Sequence, residues 1–319
     1  MEQLITEAVG VLKRGGLVAL PTETVYGLGA DAENELAVRH IFAVKRRPAS
    51  HPLIVHVASA RHAKAWAREL PVHFDALARA FWPGPLTLVV WRSDRASDAV
   101  TGGQDTVALR VPDHPLALEL LEAFGGGVAA PSANRFGRVS PTTAEHVRAE
   151  LGADVDLVLD GGPCAVGVES TIVDLTGAEP RILRPGGVSR EDLVRVLGRP
   201  VRLGADGADV RAPGMLASHY APRAGVLVVT PAQLYAEAER RQTEGLRVAA
   251  LAPRSVAVPA AVHRADMPED AAGFARELYG ALRRLDAEGF DLVVTALPDE
   301  HGLGLAVKDR LLKAAAPRT

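Results

Sequence analysis

Residues 4–29 read LITEAVGVLKRGGLVALPTETVYGLG, and this stretch decides the fold class. Apolar residues recur at helical spacing up to Leu12, Gly15 and Gly16 end the helix, and the apolar run 17–20 predicts a strand. Hydroxyl, carboxylate and phenol side chains follow at once in residues 21–29. Ligands of α/β proteins commonly bind where strands end. Two interpretations of residues 21–29 stay open: a ligand site, or a capped turn into the next helix.

The alternation of helices and strands continues to about residue 198. Such mixing is typical of an α/β sheet with flanking helices, and the close succession of short strands between residues 157 and 183 predicts some antiparallel pairing. Capping boxes predict that helices begin at Thr142, with Glu145 three residues on, and at Ser189, with Asp192. The predicted strands are 17–20, 53–57, 86–91, 107–111, 128–130, 157–159, 171–175 and 181–183. The predicted helices are 4–12, 35–46, two short ones between 61 and 82, 116–124, and those beginning at 142 and 189.

The length of 319 residues predicts about two domains. Residues 1–198 form the first. Residues 199–225 lack periodicity and contain several Gly and Pro, which predicts a linker. Because passive connections are usually shorter, we expect this linker to act as a lid, with a simple tether as the alternative. Residues 226–319 predict a smaller parallel α/β/α domain. Its predicted strands are 226–229, 248–251 and 292–295, and its predicted helices are 232–241, 272–285 and 305–315.

The composition limits the class of function. Apolar residues make up 48% and charged residues 24%, as in ordinary globular proteins. The net charge of −3 does not attract nucleic acid indiscriminately, so any anion site is local. Cys164 is the only cysteine, which excludes a disulfide framework and a multi-cysteine zinc site. No apolar run approaches membrane-spanning length and the first residues do not resemble a leader, so we expect a cytoplasmic protein that does not enter a membrane.

Several side chains are unusual for plain packing. Arg110 lies in an otherwise apolar predicted strand, and a buried arginine needs an anionic partner, either an internal acid or a ligand carboxylate. The basic triplet 45–47 ends a predicted helix, where its charges would complement the helix dipole, with a binding role as the alternative. Small and hydroxyl residues follow strand ends at 130–134 and 167–171, where they allow a ligand to approach the backbone. His56 alone would be structural. Common nucleotide-binding and hydrolase signatures are absent from the sequence.

Seven short motifs, taken in order, resemble the YrdC/Sua5 family of threonylcarbamoyl-AMP synthases. They are PTETVYGL (21–28), KxRP (45–48), PLIVH (52–56), PGPLT (83–87), APSAN (130–134), ESTIV (169–173) and RPG (184–186). HYAP at 219–222 and GLGLA at 302–306 resemble the two-domain Sua5 form. The resemblance covers essentially the whole chain. It implies a YrdC-like twisted mixed sheet with flanking helices, followed by a smaller Rossmann-like α/β/α carboxy-terminal domain.

The resemblance also implies a reaction and a set of site residues. L-threonine, bicarbonate and ATP would become threonylcarbamoyl-AMP, pyrophosphate and water, for threonylcarbamoyladenosine at position 37 of tRNA. The catalytic tetrad would be Lys45, Arg47, Ser132 and Asn134. Threonine would be held by Thr24, His56, Arg110, Ala130 and Ser170, and a guanidinium such as that of Arg110 suits a carboxylate. ATP would be held by Arg47, His51, Thr106, Ser132, Ser140, Arg184 and Tyr220. Relatives usually have asparagine in place of His51, so a phosphate contact from this ring would depend on pH.

The implied cofactor is Mg²⁺ that arrives with ATP, with no resident metal site and at most an indirect contact from Glu23, whose more ordinary role is structural. The implied partners are the small-molecule substrates and downstream proteins that transfer the threonylcarbamoyl group, without a stable nucleic-acid complex. Two other functions stay as alternatives. An RNA-binding module of the same fold would use a basic surface, although the balanced charge and few aromatic residues argue against it. A carbamoyltransferase of the hydrogenase-maturation type would need cysteine-rich zinc segments that one cysteine cannot supply.

Overall fold

The computed structural model describes residues 2–204, 210–215 and 219–317. The chain divides into two compact units. The first consists of Met1–Phe136, Pro141–Ala165 and Glu169–Met215, and the second consists of Gly137–Ser140, Val166–Val168 and Leu216–Thr319. The short segments Gly137–Ser140 and Val166–Val168, which precede the linker in the sequence, therefore belong to the second unit. Residues 205–209 and 216–218 of the predicted lid lie outside the described residues, so the lid stays a prediction.

A mixed sheet, ten-stranded over the described residues, forms the first unit. Its strands are β1 (Val18–Leu20), β2 (Gly27–Asp31), β3 (Ile54–His56), β4 (Leu86–Trp91), β5 (Thr106–Arg110), β6 (Val128–Ala129), β7 (Leu157–Val158), β8 (Thr171–Asp174), β9 (Arg181–Arg184) and β10 (Arg202–Leu203). Their order is β10-β9-β8-β4-β5-β3-β6-β2-β1-β7. The expected antiparallel pairing occurs between β8 and β9, whereas β7 pairs with β1 in parallel. The expectation of a mixed α/β sheet is confirmed.

Helices cover both faces of this sheet. They are α1 (Glu2–Lys13), α2 (Glu35–Lys45), α3 (Ala60–Lys64), α4 (Phe74–Phe81), α5 (Asp98–Thr101), α6 (Pro115–Phe124), α7 (Ala144–Leu151) and α8 (Arg190–Leu197). Leu12 of α1 and Leu120 of α6 pack with Val18 in one buried cluster. Ile41 of α2 packs with Leu109 in a second cluster. Helices thus pack against the sheet from two sides.

The ends of α2 follow from local sequence. The Asn34 side chain caps the first turn by accepting hydrogen bonds from the backbone N–H groups of Leu36 and Ala37, at 3.1 and 3.2 Å. The helix ends at Lys45, and Arg46 adopts the left-handed conformation with φ of 53°. This turn leaves Arg46 exposed between two buried cations.

Some elements of the first unit differ from the sequence predictions. β2, α5 and β10 were not predicted, and β10 lies inside the expected linker. β2 contains two glycines, which are poor strand formers, but a Cβ at Gly29 would lie 2.8 Å from both Leu20 Cδ2 and Val128 Cγ1. The predicted cap at Thr142 is wrong. Thr143 caps α7 through its hydroxyl, which accepts from the His146 N–H at 3.3 Å, while the backbone N–H of Thr142 donates to the His146 ring.

The second unit contains a parallel sheet that is four-stranded over the described residues. Its elements are β11 (Gly225–Val229), α9 (Pro231–Thr243), β12 (Val248–Pro253), β13 (His263–Met267), α10 (Ala271–Ala287), β14 (Leu292–Ala296) and α11 (Gly304–Ala315). The strand order is β11-β14-β12-β13, and every pairing is parallel. Val248 and Ala250 pack with Leu234 of α9, while the alternate residues Ala249 and Leu251 are equally buried. The expected parallel α/β/α domain is confirmed, although the charged edge strand β13 was not predicted. Within the described ranges, no helix is both long enough and apolar enough to cross a bilayer.

Candidate active site

Three neighbouring strands of the first unit present polar side chains on one face. Ile54, Val89 and Ala108 form an apolar cluster on this face of β3, β4 and β5. Because strand residues alternate between faces, His56 lies on the same face as Ile54, and Thr106 and Arg110 flank Ala108. All three polar residues are buried. The structure therefore places two residues predicted to bind threonine, His56 and Arg110, on the same face as Thr106, which is predicted to bind ATP.

Part of the predicted linker packs against this same face. Ala212 joins the apolar cluster that contains Ile54 and Ala108. The Arg211 guanidinium donates to the Gly102 carbonyl at 2.9 Å, and the Arg211 backbone N–H donates to the side-chain oxygen of Gln104. The described residues 210–215 therefore lie over the apolar part of the face.

Arg110 has an internal anionic partner. Its Nη2 donates to Glu23 Oε1 at 2.6 Å, and both side chains are buried. Glu23 Oε2 accepts from the backbone N–H of Asp113 at 3.0 Å, and Arg110 Nε donates to the Gly84 carbonyl at 3.3 Å. Of the two partners that the sequence left open, the internal acid is present. Among the described residues, two of the five guanidinium N–H groups of Arg110 thus donate to Glu23 and Gly84.

His56 pairs in register with Arg110 across the parallel strands β3 and β5. Burial, and then the positive charge of Arg110, lower the pKa of His56 to about 3. The ring is therefore neutral near pH 7. Its Nδ1 is buried without a hydrogen-bond partner among the described residues. A buried polar atom of this kind is a candidate ligand contact, because leaving it unpaired is unfavourable.

Ser170 and Arg184 meet beside this face. The Ser170 hydroxyl lies 2.7 Å from the Thr87 hydroxyl. Arg184 Nη2 donates to the Ser170 carbonyl at 2.9 Å and to its hydroxyl at 3.2 Å, and Arg184 Nη1 donates to the Pro213 carbonyl at 3.2 Å. A Cβ at Gly186 would lie 2.2 Å from the Glu169 carbonyl oxygen, so glycine permits this close approach of two chain segments. Ser170, which is predicted to bind threonine, and Arg184, which is predicted to bind ATP, are thus in direct contact.

The basic triplet is not a set of exposed helix-end charges. Lys45 is 1% exposed, and its Nζ donates to the carbonyls of Ser132, at 2.5 Å, and Asn134. Burial, and then the charge of Arg47, hold the pKa of Lys45 well below its usual value. The helix-dipole interpretation is therefore wrong for Lys45. Its ammonium group holds the loop that carries two other members of the predicted tetrad.

Arg47 and His51 lie against the same aromatic ring. The Arg47 guanidinium is 5.9 Å from the centroid of the Phe136 ring, and the His51 ring is 5.5 Å from it. Arg47 Nη2 also donates to the Pro52 carbonyl at 3.0 Å. Burial, and then the charges of Arg47 and Arg211, lower the pKa of His51. These cations favour a neutral ring at this position.

The remaining predicted residues of the first unit lie in buried backbone near strand ends. The hydroxyl of Thr24 is 2.8 Å from that of Thr22, which bonds to the Val25 carbonyl at 2.6 Å. Residues 21–29 are therefore a buried turn followed by β2, so the second of the two open interpretations, a capped turn into the next helix, is wrong. The backbone N–H of Ala130 donates to the Ile54 carbonyl at 3.0 Å, beside the strand that carries His56.

Ser140 and Tyr220 belong to the second unit. Ser140 is fully buried, and its carbonyl accepts from Arg283 Nε at 3.3 Å. Tyr220 is 1% exposed and has a positive φ of 61°, which few residues other than glycine adopt. The guanidinium of Arg310 lies 4.9 Å from the centroid of its ring.

Sequence reasoning gave no definite role to several supporting residues. Thr87 contacts Ser170, and Phe136 contacts Arg47 and His51. The backbone carbonyl of Tyr26 accepts from the N–H of Ala133, in the loop that carries Ser132 and Asn134, at 2.8 Å. The Tyr26 hydroxyl donates to the Gly162 carbonyl at 2.7 Å and accepts from the Gly161 N–H at 3.1 Å. Burial raises the pKa of Tyr26 to about 12, so the phenol stays protonated. Thr87 and Tyr26 lie inside recognised motifs, which was the available signal, whereas nothing in the sequence marked Phe136. In the described ranges, no group of three or more His, Cys, Asp or Glu side chains is arranged to hold a metal ion.

Comparisons with known proteins agree with this architecture. The family model Sua5_yciO_yrdC, described as "Telomere recombination", matches residues 10–186. A second model, described as the carboxy-terminal domain of threonylcarbamoyl-AMP synthase, matches residues 188–316. The chain belongs to the Sua5/YciO/YrdC family. Because both models match in succession, it has the two-domain Sua5 form.

Individual relatives match nearly the whole chain. A threonylcarbamoyl-AMP synthase of Pyrococcus abyssi is 42% identical, covering 99% of this chain and 95% of the relative. The corresponding protein of Bacillus subtilis is 39% identical, covering 98% and 93%. A crystal structure of P. abyssi Sua5 complexed with L-threonine superposes with a TM-score of 0.94 at 41% identity, covering 99% of this chain and 95% of that one.

Proposed function

We propose that this enzyme is a threonylcarbamoyl-AMP synthase, which joins L-threonine, bicarbonate and ATP to form threonylcarbamoyl-AMP, pyrophosphate and water. The observation that carries the proposal is the near-complete match in sequence and fold to a protein solved with L-threonine. The product serves the threonylcarbamoyladenosine modification at position 37 of tRNA. The enzyme is a nucleotidyltransferase, since the AMP moiety of ATP moves to the threonylcarbamate.

We propose that threonine binds on the polar face of β3 and β5. Arg110 holds its carboxylate through the N–H groups that Glu23 and Gly84 leave available, because a guanidinium binds two oxygens at once. Neutral His56 offers its Nδ1 to a polar hydrogen of the substrate. Thr24, Ser170 and the backbone at Ala130 complete the set that the resemblance implies.

The adenylate-forming step depends on positioning and charge. Threonine carbamate attacks the α-phosphorus of ATP through a carbamate oxygen, and pyrophosphate leaves with its electron pair. Lys45 and Arg47 oppose the negative charge that develops, and buried cations do this more strongly than exposed ones. Ser132 and Asn134 lie on the loop that Lys45 holds. His51, Thr106, Arg184, Ser140 and Tyr220 are the further ATP contacts that we propose from the family resemblance.

Mg²⁺ is proposed to arrive with the triphosphate, where it would neutralise phosphate oxygens. The donor set fits a metal held chiefly by ATP, because both oxygens of Glu23 already accept hydrogen bonds, from Arg110 and from the Asp113 backbone. We propose further that the product passes to proteins that transfer the threonylcarbamoyl group to tRNA, without a stable nucleic-acid complex of this chain, and that the reaction takes place in the cytoplasm.

The test is incubation of the full chain with ATP, Mg²⁺, radiolabelled bicarbonate and each amino acid in turn. A labelled adenylate and pyrophosphate that appear with threonine alone support the proposal. In a parallel reaction, radiolabelled carbamoyl phosphate replaces bicarbonate and no amino acid is added, and a labelled adenylate there would indicate the carbamoyltransferase alternative. Retention of tRNA fragments without any adenylate would indicate the RNA-binding alternative.

A further inference from the structure

One face of α10 carries three side chains that contact the segments 137–140 and 219–224. Tyr279, Arg283 and Asp286 are spaced by four and three residues, so they lie on one side of the helix. Both segments belong to the same compact unit as α10. Each segment carries one residue, Ser140 or Tyr220, that we propose as an ATP contact.

Arg283 fixes the first segment through its backbone. Its Nη2 donates to the carbonyl of Val139, and its Nε donates to the carbonyl of Ser140 at 3.3 Å. Two donors of one planar guanidinium therefore hold consecutive carbonyls, which orients the peptide that carries the Ser140 side chain. Ser140 itself is fully buried.

Asp286 links the first segment to the second. One carboxylate oxygen accepts from the backbone N–H groups of Arg223, at 2.6 Å, and Ala224, at 3.1 Å. The other oxygen accepts from Arg138 Nη2 at 3.2 Å. The carboxylate is only 13% exposed, so these charge-assisted bonds are weakly screened. The backbone N–H of Ala221 adds a direct bond to the Gly137 carbonyl at 2.9 Å.

Tyr220 lies within this arrangement. Its ring stacks on that of Tyr279 with centroids 5.9 Å apart, and the Arg310 guanidinium lies 4.9 Å from its centroid. Its positive φ of 61° is unfavourable for a residue with a Cβ and persists only where neighbouring contacts require it. Tyr279 and Asp286 of α10 contact the chain on both sides of Pro222, and these contacts keep Tyr220 in this conformation.

We infer that Arg283 and Asp286 are positioning residues for ATP, which hold Ser140 and Tyr220 in the geometry that binds the nucleotide. This inference rests on the proposed function, in which these two residues contact ATP. It gives the carboxy-terminal domain a definite task in the reaction: α10 fixes the backbone of two nucleotide-binding segments. Neither Arg283 nor Asp286 needs to touch a substrate.

The experiment compares Arg283→Gln and Asp286→Asn in the full chain with matched controls on the same helix. Arg284→Gln and Glu277→Gln change an exposed arginine and an exposed acidic residue of α10, and neither side chain bonds to either segment among the described residues. Calorimetry measures the dissociation constants of ATP and of threonine, and steady-state assays measure KM for ATP and kcat. We expect ATP affinity to fall about ten-fold in Arg283→Gln and Asp286→Asn, which corresponds to one charge-assisted hydrogen bond, and threonine affinity to stay unchanged. The controls should bind both ligands as the parent does.

The outcomes separate positioning from general stability. Arg283→Lys keeps a donor for one carbonyl, so it should recover part of the ATP affinity, and it replaces Arg283→Gln if that variant does not fold. Equal losses of ATP and threonine affinity, or ATP affinity within two-fold of the parent in both variants, would overturn the inference. If the parent binds ATP but makes no adenylate, the proposed function fails while the ATP affinities still judge the positioning role. A parent that does not bind ATP overturns both.

Discussion

The two units of the chain differ in how many charged side chains they bury. The first buries Glu23, Lys45, Arg47, Arg110 and Arg184, each less than 10% exposed. Among the described residues of the second unit, Arg310 is the one buried Lys, Arg, Asp or Glu side chain, while Arg240, Glu237 and Glu244 form ion pairs on the exposed surface of α9. Exposed pairs contribute little to stability, whereas buried charges are unfavourable unless they are paired. Among the described residues, the first unit therefore buries more charged side chains than the second, and they include several of the predicted site residues.

The same contrast occurs within three consecutive residues. Lys45 and Arg47 are buried, while Arg46 between them is exposed. A run of three cations in the sequence thus contains two buried side chains and one exposed side chain. Arg46 is therefore a control for its two neighbours, because it carries the same charge at the surface.

The largest expected effect is at the buried pair of Arg110 and Glu23. Arg110→Met leaves the Glu23 carboxylate buried without its cation, so we expect the free energy of unfolding to fall by about 3–5 kcal/mol. Threonine affinity should fall strongly, while ATP affinity should change little. Chemical denaturation and calorimetry measure these quantities.

The double variant Arg110→Met with Glu23→Gln is the control for this prediction. It removes the unpaired charge and keeps an oxygen that can accept from the Asp113 N–H. It should therefore recover most of the lost stability without recovering threonine affinity. Threonine binding at parental affinity in both variants would show that Arg110 does not hold the carboxylate.

The next largest effect concerns the basic triplet. Lys45→Met and Arg47→Met should each lower the rate of pyrophosphate release by about 100- to 1000-fold, since each removes a fixed cation from a water-poor site. Lys45→Met should also lower the melting temperature, because two buried carbonyls lose their donor. Arg46→Met should change neither quantity. Equal rate losses in all three variants would mean that burial does not determine which of these cations affects pyrophosphate release.

The contrast within the triplet also shows what the sequence could and could not predict. The end of α2 was predicted to within one residue, because helical periodicity and the following proline are local signals. The burial of Lys45 depends on the carbonyls of Ser132 and Asn134, which lie 87 and 89 residues further along the chain. A helix-dipole interpretation uses local information alone, and it therefore could not include these two carbonyl partners of Lys45.

In the candidate site, too, local sequence identified unusual residues but not their partners that are distant in the sequence. Arg110 could be recognised as unusual from its apolar strand, but the sequence could not choose between an internal acid and a ligand as its partner. The strand β2 was missed because Gly27 and Gly29 are poor strand formers, and only the packed structure shows that Gly29 leaves no room for a side chain. The ordered motifs supplied the candidate residues, and long-range contacts supplied their partners.

A smaller effect is expected from the pH dependence of stability at His56. Its pKa is about 3 in the folded chain against the ordinary 6.5, so between these values the unfolded chain binds a proton that the folded chain does not. Stability should therefore be unaffected by this group above pH 6.5 and should decrease as the pH falls below it, by about 1.4 kcal/mol per pH unit at most.

His56→Gln removes this titration and serves as the comparison. Denaturant unfolding of the parent and the variant between pH 7 and pH 5 gives the difference in stability, to which the other titrating groups contribute equally. The difference should shift in favour of the variant as the pH falls. A difference that is constant over this range would mean that the folded chain protonates His56 as readily as the unfolded chain does.

The smallest expected effect is at Arg46, where the helix ends with φ of 53°. The left-handed conformation is unfavourable for a residue with a Cβ by about 1–2 kcal/mol, and glycine adopts it freely but loses about 0.5–1 kcal/mol of extra conformational entropy on folding. Arg46→Gly should therefore stabilise the chain by about 0.5–1 kcal/mol, with Arg46→Ala, which keeps the Cβ, as the control that gains nothing. Pyrophosphate release should be unchanged in both, because the exposed guanidinium takes no part in the site. A loss of activity in both variants would mean that Arg46 serves the substrates as its buried neighbours do, and the contrast between buried and exposed cations would no longer mark the residues that carry the reaction.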